Sequence, residues 1–427
     1  MAYYLYAATL YIIFVLFLPL IILLYFVSPK IRIEAQSRVF DAFKIEINRE
    51  DNLPTIWFHA SSIGEMKVAT HLIDELKKER NFNAVLSVFT RTALKEGKNI
   101  EGLAGCFLLP FDFPCILGMT VKKVQPDLLV TIESEFWLSL LHKAKKQGAK
   151  IALANGRVSE KAFANHGKYP LFIKTALGYY NLVLARSKED LERLTPFLDA
   201  KKSGEIGGNI KYDVTTPENN PTSRFLSGST YICLVSTRNG EEELLLKAIA
   251  KQRKKLLHEN NLKFILAPRH VNRVNEIEKL LTSYSFTYSL YSEETQTGDE
   301  DFILVDCFGV LNECYAASTG AFIGGSLVKT GGQNLLEAIA HGIPIVFGSD
   351  MSNFKEESKY FLQHGAAQCN TADEVATTFQ HWLQNPAIAQ STGTQLQKAL
   401  DTHRGVTKRY AEKLLELIDR NSPPRRG

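Results

Sequence analysis

No CxxC pair occurs among the six cysteines, which are scattered at Cys106, Cys115, Cys233, Cys307, Cys314 and Cys369. That spacing argues against a disulfide framework or a zinc site and makes a reducing compartment the simpler setting. An excess of charge of one sign is also missing, since 50 basic and 46 acidic residues leave a net charge of only +4. With no aromatic-interleaved basic stripe, this balance offers no footprint for nucleic acid as a partner. Neither G-x-G-x-x-G nor the P-loop pattern is present, so a Rossmann dinucleotide site and an NTPase are both unsupported. There is no long internal repeat and no low-complexity tract. The 45% hydrophobic and 22% charged fractions are those of a folded chain, and 427 residues fit two domains of about 150–200 residues each.

One segment lacks charge altogether. Tyr3 to Val27 is dense in Leu, Ile, Phe and Tyr, and it exceeds the roughly 20 apolar residues that span a bilayer core. No basic stretch precedes it and no small-x-small site follows it, which separates it from a signal peptide. A buried core helix is the remaining alternative. Lys30, Arg32 and Arg38 follow at once, so the positive-inside bias places the rest of the chain in the cytoplasm. Tyr3, Tyr4, Tyr6 and Tyr25 suit an interfacial aromatic belt, and Pro19 is tolerable in a membrane helix. Residues 1–28 are therefore expected to form a single N-terminal membrane anchor.

Beyond Ile45, short β-rich runs alternate with amphipathic stretches. Strands are expected at Thr55–Ala60, Ala84–Thr90, Leu128–Glu133, Ile151–Asn155 and Leu182–Ala185. In a helix from Glu65 to Glu79, Val68, Leu72, Ile73 and Leu76 share one face. The stretch Thr215–Ser229 is rich in Pro, Asn, Ser and Thr and reads as a linker. The pattern then restarts with Ile232–Ser236, Phe264–Ala267, Phe302–Val305, Ala321–Gly324 and Ile343–Phe347. This order predicts an α/β protein with two Rossmann-like, doubly wound lobes, at 29–214 and 230–421, with a cleft between them and a disordered tail at 422–427. Such sheets bind ligands beyond the carboxyl ends of their strands, so chemistry is sought just after each strand.

Five segments stand out there. His59-Ala60-Ser61-Ser62-Ile63-Gly64-Glu65 places a carboxylate at a helix start, where it could take a proton from a hydroxyl or simply complete a cap with Ser61 or Ser62. Glu133-Ser134-Glu135 puts two carboxylates where a strand meets a helix. Lys211 closes the first lobe in a Gly-Gly-Asn-Ile-Lys-Tyr-Asp run. Gly324-Gly325-Ser326 and Gly331 to Glu337 could present backbone N–H groups to an anion, with Glu337 on a ribose; Asn334-x-x-Glu337 is equally a capping spacing. Arg269, after another strand, could clamp a phosphate or carboxylate.

These segments carry a family likeness over nearly the whole chain. HASSIGE (59–65), ESEFW (133–137), NGRVS (155–159), GNIKYD (208–213), STRNGEEE (236–243), APRHVNR (267–273) and GGSLVKTGGQNLLEAIAHGIPIVFG (324–348) resemble the signatures of Kdo (3-deoxy-D-manno-octulosonic acid) transferases. The resemblance implies a GT-B-type fold and an inverting transfer, without metal or other cofactor, from CMP-Kdo to lipid A or its tetraacylated precursor at the inner membrane. It places the general base on Glu65 and transition-state support on Glu133 and Lys211. It places nucleotide contacts on Pro268 and Arg269, on Phe308, Gly309 and Val310, and on Asn334, Leu335, Leu336 and Glu337. This sequence departs from the family pattern at Arg238, Leu138-Ser139, Val310, Gln333 and Leu335, so contacts at Phe308 and Val310 would have to be through backbone. A UDP-sugar transferase or epimerase of the same fold, and a tethered sugar-nucleotide binding protein, are the alternative expectations.

Overall fold

The computed structural model describes residues 2–199, 204–213, 225, 228–258, 261–293 and 298–419. Most of the expected linker and all of the expected tail lie outside the described residues. Two compact units result, one built from the chain up to Asp213 plus a C-terminal segment from Gly405, the other from the chain up to Arg404.

In the first unit, seven parallel strands run β1 (Thr55–Ala60), β2 (Asn83–Val88), β3 (Gly105–Leu108), β4 (Leu128–Ile132), β5 (Lys150–Gly156), β6 (Leu182–Ala185) and β7 (Glu205–Ile206). Their order in the sheet is β3-β2-β1-β4-β5-β6-β7. Side chains of β1 alternate between two cores: Ile56 and Phe58 pack with Leu72, Ile73 and Leu76, whereas Trp57 packs with Val85, Leu129 and Leu141. Helices therefore cover both faces, as the near-continuous apolar strands require. The helix Ile63–Glu79 forms where its apolar spacing predicts, and Val68, Leu72, Ile73 and Leu76 are all buried.

The second unit repeats the plan with β8 (Thr230–Thr237), β9 (Leu262–Pro268), β10 (Tyr288–Leu290), β11 (Phe302–Leu304), β12 (Ser318–Ile323), β13 (Ile345–Phe347) and β14 (Ala367–Gln368). These too are parallel, in the order β10-β11-β9-β8-β12-β13-β14. Two doubly wound seven-stranded sheets and one apolar N-terminal helix make this a GT-B-type α/β chain.

The boundary of the second lobe at residue 421 is corrected by the structure, because the helix Val406–Asp419 belongs to the first unit. Tyr410, Leu414 and Ile418 enter the core of the first unit beside Leu72 and Leu76. Burial of each such side chain stabilises the packing by about 1.5–3 kcal/mol. The Tyr410 hydroxyl donates to Gly208 O at 3.0 Å, and a Cβ on Gly207 would lie 2.3 Å from that hydroxyl, so only glycine admits the helix so closely. Asp213 caps the returning helix, accepting from Gly405 N (3.1 Å) and Thr407 N (2.8 Å).

The anchor helix, Ala2–Val27, is not separate from the first unit. Tyr3 and Ala7 are buried. The Tyr3 ring stacks on His142 with centroids 3.6 Å apart, the Tyr6 hydroxyl donates to Asp112 Oδ2 at 2.7 Å, and Phe14 meets Phe113 edge-on. Tyr3 and Tyr6 are therefore seated on protein, which replaces their reading as interfacial anchors. The Arg38 guanidinium is likewise buried: it donates to Leu109 O at 2.9 Å and to Phe89 O, and pairs with Glu34 at 2.8 Å. An enclosed guanidinium with these partners does not contact headgroups. Lys30 and Arg32 are exposed, as expected of them.

Candidate active site

In the first sheet the strand order reverses between β1 and β4, the place where an open α/β sheet splays and leaves a crevice. Glu65 follows β1 and Glu133 follows β4, so the fold brings these two together although the sequence separates them widely. Ser62 caps the helix Ile63–Glu79 by accepting from Glu65 N at 3.3 Å. The Glu65 carboxylate returns the contact, accepting from Ser61 N at 2.8 Å and from Ser62 Oγ at 2.9 Å. The capping alternative is thus realised in full. It does not exhaust the residue, because burial drives this carboxyl up to about 7, against the Ser61 hydrogen bond and with the negative Glu135 and Glu133 adding to the rise. A helix cap needs no such environment, whereas a proton acceptor working near neutrality does.

Glu133, just past β4, lies in the left-handed region at φ 58°, while its N–H still donates to Ala154 O at 2.9 Å. That turn directs its carboxylate to Lys211 Nζ, 3.0 Å away. Lys211 stands on a short 3₁₀ turn, Ile210–Tyr212, which Asn209 caps through Lys211 N at 3.1 Å. The Gly, Asn and Asp of the 208–213 segment thus serve the turn and the returning helix, leaving Lys211 as its chemical group.

Glu135 is the residue that sequence reasoning underused. Its carboxylate lies 3.7 Å from His59 Nε2 and accepts from Trp137 Nε1. Burial would raise it, but the His59 imidazole, the Ser61 hydroxyl and the Trp137 N–H nearby outweigh that effect and hold it below the usual carboxylate range. Two neighbouring carboxyls are therefore pushed apart, with Glu135 kept as an anion and Glu65 poised to exchange a proton; such splitting marks an acid–base site.

In the second unit the first glycine segment after β12, Gly324-Gly325-Ser326, is not an open anion cradle. Its amides are already filled by the buried Glu241 carboxylate, which accepts from Gly325 N (2.6 Å), Ser326 N (3.0 Å), Leu327 N (2.9 Å) and Arg238 N (3.1 Å). Gly324 is needed for close approach, since a Cβ there would lie 2.6 Å from Ser236 O. Glu242, also buried, pairs with Arg273 at 2.8 Å and so ties the 236–243 segment to the 267–273 segment.

The nucleotide-site candidates fall at carboxyl ends of this second sheet and in the loops beyond them. Pro268 is buried at the end of β9, and Arg269 beside it is exposed. Arg238 donates to His270 Nε2 at 2.8 Å, and desolvation together with Arg238, Arg269 and Arg273 lowers the His270 pKa from its usual range. Arg238, read in the sequence only as a departure from the family pattern, joins Arg269 in this positive cluster. Phe308 and Gly309 are exposed after β11, with Gly309 at φ 89° and Val310 half-buried beside them. Asn334 Oδ1 accepts from Leu336 N at 3.1 Å and its Nδ2 donates to Glu337 Oε1 at 2.9 Å, so these two side chains hold each other. Leu335 and Leu336 are buried, which leaves only their backbones for a ligand.

A family profile described as 3-deoxy-D-manno-octulosonic-acid transferase (kdotransferase) matches residues 35–214. The chain is 30% identical to a bifunctional glycosyltransferase/methyltransferase of Fusobacterium nucleatum over 72% of its own length, and spans about half (49%) of that relative. Among solved structures, the UDP-GlcNAc 2-epimerase of Neisseria meningitidis is similar at a TM-score of 0.55 and 12% identity, over 85% of this chain and 100% of the other, a likeness of fold. A 3-deoxy-D-manno-octulosonic acid transferase of Haemophilus influenzae is 30% identical over 86% of this chain and 88% of the relative. With the motif order, the two doubly wound sheets and the match to that relative in hand, the chain belongs to the 3-deoxy-D-manno-octulosonic acid (Kdo) transferases.

Proposed function

We propose that this chain is an inverting glycosyltransferase that moves Kdo from CMP-Kdo to a hydroxyl of lipid A or its tetraacylated precursor, at the cytoplasmic face of the inner membrane. The observation that supports it most is the Glu65 carboxyl, raised to about 7 at a helix start and flanked by the Lys211–Glu133 pair. In a single displacement, the acceptor hydroxyl oxygen attacks the anomeric carbon of Kdo as the bond to the phosphate oxygen breaks. CMP leaves with that electron pair, and the hydroxyl proton passes to Glu65. Lys211, held by Glu133, supplies positive charge toward the donor's carboxylate or the departing phosphate.

The nucleotide falls to the second unit. Arg269 and Arg238 would take the single phosphate of CMP, the backbone around Gly309 and at Leu335 and Leu336 would line the base and sugar, and Glu337 would accept from ribose hydroxyls. Mass spectrometry of a lipid A precursor incubated with the protein and CMP-Kdo tests the reading directly. A mass increase of one or more Kdo residues is the expected result, and an unchanged acceptor overturns it.

The raised carboxyl makes a second expectation. A base must be deprotonated, so kcat/KM should climb with pH to a plateau above about 7 and fall roughly tenfold per unit below it. A profile flat from pH 5.5 to 8 would remove Glu65 from the role of base.

A further inference from the structure

The cavity beside this site has an unusual wall. A pocket of about 640 Å³ opens in the first unit, a size that suits a sugar disaccharide better than a single ion. One side of it is Glu135, Phe136 and Trp137, the same loop whose carboxylate touches His59 next to Glu65. Phe172 and Tyr6, in ring contact with each other, also line it, and Tyr6 belongs to the anchor helix. The Tyr6–Asp112 hydrogen bond of 2.7 Å fixes that helix to the pocket, and Asp112 is itself held by Ser139 N (3.1 Å) and Leu140 N (3.3 Å). From Tyr6 onward the anchor helix presents exposed apolar side chains, among them Leu16, Leu20, Leu23 and Phe26.

Aromatic faces beside carboxyl, amide and imidazole groups are what a pyranose ring needs: apolar C–H surface against the rings, hydroxyls toward the polar atoms. His166 also lines the wall, and its Nδ1 is a buried nitrogen with no hydrogen-bond partner among the described residues. The lining contains no Lys or Arg, which does not suit the phosphate of a sugar nucleotide. We infer that this pocket receives the sugar head of the acceptor glycolipid, whose acyl chains lie along the anchor helix. The anchor then does more than tether, because it forms part of the acceptor site and delivers the head to the Glu65 cluster. This rests on the reading that the acceptor is a membrane glycolipid.

The test is equilibrium binding of full-length protein to mixed detergent micelles carrying the lipid A precursor, with empty micelles as control, for wild type and for Tyr169→Ala/Asn165→Ala. Both positions line the pocket and are exposed, so the double variant keeps the core intact. The expected result is about a tenfold or greater loss of affinity for the glycolipid and a matching rise in acceptor KM. Binding to empty micelles and to CMP should not change. Equal glycolipid affinity in the two proteins, or no glycolipid binding by wild type, overturns the assignment. If wild type binds the glycolipid and the variant does not, yet neither transfers Kdo, the pocket stands and the activity reading fails.

Discussion

Glu65→Gln should slow transfer by about 10²–10⁴-fold, the usual loss when a general base is removed, while CMP affinity stays within twofold of wild type. The substitution is chosen for what it preserves. The Gln oxygen can still accept from Ser61 N, and its amide can donate to Ser62 Oγ, reversing the present contact, so the cap at Ser62 survives. Basicity alone is lost. Glu65→Ala, by contrast, removes cap and base together and would add a stability loss of about 1 kcal/mol that confuses the readout. Steady-state transfer with saturating CMP-Kdo, paired with calorimetry for CMP, separates the two roles. Activity of the Gln variant within threefold of wild type would mean that the carboxylate is a helix cap and nothing else.

That pairing of roles explains why the site was only partly legible in the sequence. The spacing of Ser62 and Glu65 announces a cap whatever else the residue does, and nothing in the order of residues reveals that burial and two neighbouring carboxylates lift its pKa. Glu135 was harder still. Whether it faces Glu65 depends on the left-handed turn at Glu133, which no local pattern demands. The first glycines after β12, Gly324 and Gly325, misled in the opposite direction. Read alone they describe an anion cradle, but the anion is Glu241, supplied by the acidic run that begins the helix after β8.

Strands divide in the same physical way. The ten that the sequence predicted are the inner strands of the two sheets, apolar runs buried on both faces. The four it omitted, β3, β7, β10 and β14, are the four sheet edges. Each is two to four residues long, with too little apolar surface to announce itself, and is a strand because a neighbour supplies its partners. The returning helix Val406–Asp419 shows a strong apolar face, but periodicity does not say which lobe that face will meet.

The anchor gives the other all-or-none expectation. An epitope with a protease site placed before Met1 should be cleaved only in membrane vesicles whose catalytic lobes face the protease. Composition alone allows Ala2–Val27 to cross a bilayer, and a crossing puts Met1 and the lobes on opposite sides. The packing argues otherwise. Tyr3 and Ala7 are buried in the first unit, Tyr6 bonds Asp112, and Phe14 still touches Phe113. Beyond the last of these contacts lies Val15–Val27, about 20 Å of helix, against a hydrocarbon core of about 30 Å. The chain then returns to the same unit through Glu34, which pairs with Arg91 at 2.9 Å, and through the buried Arg38. Both ends of the apolar segment are thus held by one lobe, and a helix that kept these contacts in a membrane would insert only its remaining portion into the near leaflet. Separating Tyr3 from His142 and Tyr6 from Asp112 would expose an aromatic seat and leave Asp112 without one of its donors, so a crossing topology has to break contacts that the inserted one keeps. Cleavage of the epitope only in vesicles of the opposite orientation would show that those contacts are broken in the membrane and that the helix crosses it.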